Sequence, residues 1–210
     1  MSYSINYTND TSLHNWVEQL DLVCVSNTNI GLLGSMYFAG WSCSLLFVPL
    51  LSDKFGRKRI FIAAVAATVL CMVGTMLSHS LVLTDVLIFL VGVLSSGRIM
   101  VGYVYGSEFC PPKWQIVFGS VYHLMDGALL LPIAIYYDFI SKHYRWLPII
   151  GITWGLICIV GVGLFGPESP LWELKMGNKA RAEASIKRIL AANGYQESDI
   201  TAATENNAIE

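Results

Sequence analysis

Five stretches, residues 30–52, 60–78, 86–105, 116–137 and 147–165, are almost free of charge, holding one Arg and one Asp between them. About 20 apolar residues in helical form cross a ~30 Å hydrocarbon core, so each stretch predicts one membrane span. Short polar segments separate them: a basic turn from Asp53 to Arg59, a loop at 79–85 without Lys or Arg, and a loop closed by Pro111 and Pro112. Beyond Pro167 the pattern changes. Leu174, Ala182, Ile186, Ile189 and Leu190 recur at helical spacing with Lys and Arg between them, which predicts an amphipathic helix over 170–193, stopped by Asn193-Gly194. The expected fold is thus an all-α membrane protein with about five transmembrane helices. Its organisation is an extracytoplasmic segment (1–29), a transmembrane bundle (30–166), a cytoplasmic amphipathic helix (167–194) and a mobile tail (195–210).

Charge sets the orientation. Lys54, Arg57, Lys58, Arg59, Lys113 and the five cations from Lys175 to Arg188 fall on one side, and only Lys142 and Arg145 on the other. Positively charged loops stay cytoplasmic, so the N-terminus is expected outside and the C-terminus inside. Asn6 and Asn9 each begin an N-x-[ST] glycosylation acceptor, consistent with an outer N-terminal segment. No cleavable leader is evident at the start.

Composition changes the picture only by exclusion. Hydrophobic residues make up 54% and charged residues 13% of the 210 positions, and the mean hydropathy is +0.55, too apolar for an ordinary soluble domain. No basic face with interleaved aromatics speaks for nucleic acid. The five cysteines and four histidines are scattered singly, which gives no metal site and no cofactor, and no nucleophile–base set or carboxylate pair indicates an enzyme.

The exceptions to the apolar pattern are the candidate chemistry. Arg98 and Asp126 sit deep in consecutive spans, and each costs at least ~2.5 kcal/mol on insertion scales. Each lies about ten residues from the cytoplasmic end of its helix, so at ~1.5 Å per residue they reach similar depth. An Arg98–Asp126 ion pair is the expectation, either pinning two helices or lining a polar path for substrate or protons. His123, three residues before Asp126, is placed to share protons with it.

The turn Asp53-Lys54-Phe55-Gly56-Arg57-Lys58-Arg59 resembles the signature loop of the major facilitator superfamily. Trp16 to Cys24, Tyr37-Phe38-Ala39-Gly40, Glu108-Phe109, Tyr144-Arg145-Trp146-Leu147 and Pro167-Glu168-Ser169-Pro170-Leu171-Trp172 resemble, in order and spacing, segments of organic cation transporter and sugar-transporter-like solute carriers. The resemblance implies a partial N-terminal half of such a carrier, its spans matching helices two to six, without the first helix or the second half. It implies a signature and gating network of Asp53, Gly56, Arg57, Lys58, Glu108 and Glu168. It also implies a small organic solute as cargo, and a complementary second half or other membrane subunits as partners besides the lipid bilayer. The expected location is a multi-pass membrane protein of the plasma membrane, with an organelle membrane as the alternative.

Three departures from the family pattern stand out. Pro49 occupies a position where the family usually has Gly, Leu171 one where it has Arg, and Gln115-Ile116 replace a common Arg after the acidic end of the fourth helix. They motivate a second reading, a non-transporting subunit or scaffold derived from a carrier.

Overall fold

The computed structural model describes residues 14–195. The sequons at Asn6 and Asn9 and the tail from residue 196 lie outside the described residues. A short helix α1 (Trp16–Gln19) and a tight turn (Leu22–Cys24) lead into α2 (Asn27–Ser44) and α3 (Val48–Phe55). Then come α4 (Arg57–Leu77), α5 (Leu81–Ser107), α6 (Pro112–Ala128), α7 (Leu130–Ile135) with a wide turn at Tyr136–Ile140, α8 (Trp146–Phe165), α9 (Pro170–Lys175) and α10 (Lys179–Ala192). Four helical stretches are long and apolar enough to cross a membrane, namely α4, α5, the α6–α7 run to Ile140, and α8; α2 and α3 together make a fifth, bent by 47°.

Where the helices break, the sequence supplies the reason. The expected span 30–52 is not one straight helix. Pro49 has no N–H to give the carbonyl four residues back, and its ring crowds that carbonyl. The chain instead tightens, Leu46 and Phe47 donating to the carbonyls three residues behind them, Cys43 and Ser44, before α3 starts. Pro132 in α7 likewise follows the interruption at Leu129. The single amphipathic helix expected over 170–193 is in fact two helices, because Gly177 takes a φ of +76°, which L side chains rarely adopt. The expected stop does occur at Asn193-Gly194, where Gly194 has a φ of +84°.

The basic turn is also more helical than its composition suggests. Helix α3 runs to Phe55 and α4 begins at Arg57, leaving Gly56 alone between them at a φ of +106°. Three cations therefore occupy the first turn of α4, the end whose unpaired N–H groups already carry partial positive charge. That end needs an anion.

Helix α5 is the axis of the bundle, packed along α2 on one side and α4 on the other, with α8 lying against α4. Lipid offers no hydrophobic drive to bring helices together, so small residues that allow close approach do the work. A Cβ on Gly40 would collide with the Phe89 carbonyl, and one on Gly92 with the Tyr37 carbonyl, so α2 and α5 meet backbone to backbone. Gly97 lets α4 come close too, the atom in its way being the Ala64 methyl, 2.6 Å from where a Cβ would stand. Fully buried Ser44 and Ser95 satisfy their hydroxyls on carbonyls of their own helix, Trp41 and Val91. Helix α8, by contrast, buries none of its residues, and its exposed side chains are overwhelmingly apolar, as a lipid-facing surface requires.

The opposite end of the bundle, at the C-terminus of α4, is tied down by the segment before α2. The Gln19 amide donates to the carbonyls of Thr75, Met76 and Ser78, capping the C-terminus of α4. Tyr144 bonds the Gln19 side-chain oxygen, and the His14 and His143 rings stack with centroids 4.0 Å apart.

Candidate functional site

The sequence-derived candidates form two groups at different depths, one at the helix ends around Gly56 and one in the middle of the bundle.

At the end around Gly56 every predicted residue takes part in one cluster of contacts. The Glu168 carboxylate accepts the backbone N–H of Lys58 at 2.8 Å, supplying the anion that the N-terminus of α4 lacks. Gly56 makes room for it: a Cβ there would lie 2.6 Å from Glu168 Oε2. The Lys58 ammonium in turn donates to the carbonyls of Gly166 (2.7 Å) and Gly163 (3.0 Å), closing the C-terminus of α8. Arg188 of α10 adds a third contact there, to the Leu164 carbonyl at 2.9 Å. Helices α4 and α8 thus exchange caps across 105–110 residues of sequence.

Arg57 is buried beside this exchange and gathers three groups. Its guanidinium pairs with Asp53, donates to the Ser52 hydroxyl at 3.0 Å, and reaches Glu108 Oε1 at 3.4 Å. Glu108 ends α5, so one arginine links the ends of α3, α4 and α5. The second oxygen of Glu108 is buried without a hydrogen-bond partner. Trp172 donates its indole N–H to the Asp53 carbonyl at 2.7 Å, and the Tyr105 hydroxyl donates to the Pro167 carbonyl at 2.6 Å, so α9 is fastened to the same cluster.

The midplane group is not brought together. Among the described residues Arg98 pairs with no carboxylate and forms no side-chain hydrogen bond, and its Nε is buried without a partner. Asp126 is exposed on α6, so the expected Arg98–Asp126 ion pair is absent. The Tyr122 hydroxyl, one turn before Asp126, donates to the Ile99 carbonyl beside Arg98 at 3.0 Å. His123 is also exposed and makes ring contacts with Tyr103 and Tyr122 (5.6 and 5.8 Å between centroids) rather than a hydrogen bond to Asp126. Matching depth along the axis did not ensure matching faces.

The sequence reading passed over Asp85. It was assigned to the loop at 79–85, but α5 begins at Leu81 and carries Asp85 into its second turn, 9% exposed and with Oδ1 lacking a partner. Its one signal is its place beside Thr84 at the head of an apolar run, which a loop explains equally well. Among the described residues no group of three or more His, Cys, Asp or Glu lies together as a metal would need.

A family model described as "Sugar (and other) transporter" matches residues 1–210. Among curated proteins, "Solute carrier family 22 member 4" of Mus musculus is 28% identical over 190 residues, covering 89% of this chain and 34% of that protein. "Organic cation/carnitine transporter 2" of Homo sapiens is 27% identical over 191 residues, covering 90% of this chain and 34% of that protein. "Solute carrier family 22 member 15-like" of Xenopus laevis is 28% identical over 167 residues, covering 80% and 34%. The chain spans about a third of the length of these relatives.

Proposed function

Since the chain belongs to the sugar (and other) transporter family of the major facilitator superfamily, we propose that it is an incomplete half of a multi-pass carrier for small organic solutes. The cytoplasmic network carries this reading. Glu168 capping α4, Lys58 capping α8 and Arg57 joining Asp53 to Glu108 are stronger fastenings than a bundle held only by lipid and small residues needs. They lie at helix ends that would move if two halves rocked about a central site. In this reading Asp53, Gly56, Arg57, Lys58, Glu108 and Glu168 form one side of a gate. The exposed His123 and Asp126 line a solute or proton path completed by a second half. The names of the relatives support organic cations among the solutes, and the plasma membrane is the proposed location.

A second reading is favoured by one observation. The buried Glu108 Oε2 has no partner, and the positions after it hold Gln115 and Ile116 instead of the expected Arg. A latch left half-paired suits a subunit or scaffold that no longer alternates.

The composition of the native particle tests the two. Gentle detergent extraction, native gels and mass spectrometry should recover this sequence in a longer polypeptide or beside a partner with the missing helices. That particle should take up a radiolabelled organic cation in proteoliposomes. Recovery of the short chain in a stable complex without any carrier partner, and without uptake, would establish the scaffold instead.

A further inference from the structure

We propose that the cavity between the start of α4 and helices α9 and α10 binds an anionic phospholipid, its headgroup phosphate held by Arg59 and Arg181 and an acyl chain lying along α4. The cavity has a volume of about 530 Å³, and Arg59, Ile62 and Ala63 of α4 face Trp172 of α9 and Arg181 of α10 across it. It sits where the apolar span of α4 begins, the level at which basic pockets meet anionic headgroups and Trp side chains gather.

The other charges in the cavity already have partners. The Lys58 ammonium donates to the Gly163 and Gly166 carbonyls. Of the two lining carboxylates, Glu168 accepts the Lys58 and Ser169 N–H groups, and Glu173 accepts the Ser185 hydroxyl at 2.8 Å. Arg59 and Arg181 remain, both exposed and, among the described residues, without an ion pair or side-chain hydrogen bond. The uncommitted charge is thus wholly positive and comes from two separate helices. Guanidinium groups stay charged at any physiological pH, and their planar forks match phosphate oxygens. A zwitterionic headgroup would bring an ammonium group with no free carboxylate in the cavity to meet it.

The place of Arg59 on α4 makes the phosphate that of a lipid. At 3.6 residues per turn, Arg59, Ala63, Leu70 and Leu77 fall within roughly 40° of one another around the helix. Ala63 is exposed, and Leu70 and Leu77 are each 72% exposed. The span therefore carries an uncovered apolar stripe with a cation at its end, which matches an acyl chain below a charged headgroup. Phe61, Val65 and Met72, which with Arg98 line the groove between α4 and α8, lie on the opposite face of α4. A further helix packed in that groove would leave the stripe open. Headgroup binding here requires neither a second half nor solute uptake, so it stands apart from the carrier reading.

The test uses the full chain in phosphatidylcholine nanodiscs with a minor fraction of phosphatidic acid bearing an acyl-chain diazirine. Photolysis should label peptides containing Ala63 to Leu77. The same diazirine carried on phosphatidylcholine should label them at least tenfold less. Arg59→Gln should lower labelling by phosphatidic acid about fivefold, and Arg59→Gln with Arg181→Gln more than tenfold. Arg145→Gln, at the other end of α8, should leave it unchanged. Both cavity arginines are exposed and unpaired, so the double variant should keep the melting temperature of the parent chain. Equal labelling by the two lipids, or labelling that survives the double substitution, would overturn the proposal. So would loss of labelling to millimolar inorganic phosphate, which would make the cavity a site for a free anion. A photo-crosslinker at position 59 that captures residues 196–210 of the chain instead of lipid would overturn it as well.

Discussion

Glu168 and Lys58 cap each other's helices: the carboxylate closes the N-terminus of α4 through the Lys58 backbone N–H at 2.8 Å, and the Lys58 ammonium closes the C-terminus of α8. Hydrogen bonds to a charged group contribute about 1.5–3 kcal/mol each. Glu168→Ala should therefore lower stability by about that amount, while Glu168→Gln, which keeps an acceptor oxygen, should lose less. Thermal unfolding in detergent separates the two; equal loss in both variants would show that charge alone matters.

Gly56 answers to two constraints, its φ of +106° and the nearby carboxylate. A side chain forced into that backbone region costs about 1–3 kcal/mol. Gly56→Ala should be destabilising alone, and combining it with Glu168→Ala should cost less than the sum, because the clash disappears while the backbone strain remains. Strict additivity would show that strain is the whole effect.

Removing Arg57 leaves Glu108, 14% exposed, without its cation. Breaking a buried pair costs about 3–5 kcal/mol, and the half-exposed Asp53 places this case at the low end, about 3 kcal/mol. The double variant Arg57→Ala with Glu108→Ala should be more stable than Arg57→Ala alone. A double-mutant cycle in the same unfolding assay reads this directly.

The α2–α5 contact predicts a sharp contrast between glycines. Gly92→Ala drives a methyl into the Tyr37 carbonyl and should cost at least about 1–3 kcal/mol or abolish the folded yield. Gly31→Ala, on the same pair of helices but with open space around it, should be neutral or gain up to about 1 kcal/mol from helix propensity. Size-exclusion profiles and melting curves of the two variants provide the comparison.

Gln19 caps α4 from the segment before α2 through three carbonyls. Gln19→Ala should cost about 1 kcal/mol. The effect should be local: faster amide hydrogen exchange at the last turn of α4 and in residues 14–25, with the Arg57–Lys58–Glu168 cluster unchanged.

What could be read before folding was one-dimensional. Uncharged runs and their lengths mark the spans, and Gly56 beside the clustered cations marks the cluster at the N-terminus of α4. Depth was equally legible, since 1.5 Å per residue places Arg98 and Asp126 at one level. Direction around the axis was not, because it depends on which neighbours pack against each face; Arg98 turns to the α4–α8 groove and Asp126 does not. Pro49 was noted as a substitution but not as a break, and Gly177 was lost inside a favourable apolar period. The Gln19 cap joins groups 56–59 residues apart and has no local signature at all.

The backbone contact of α2 with α5, at Gly40 on Phe89 and at Gly92 on Tyr37, has a mechanical consequence. Side chains can change rotamer and let two helices slip by a notch, but backbone against backbone has no such freedom. Helices α2 and α5 therefore behave as a single strut, and any large motion within this bundle must be taken up elsewhere, as at the Pro49 bend.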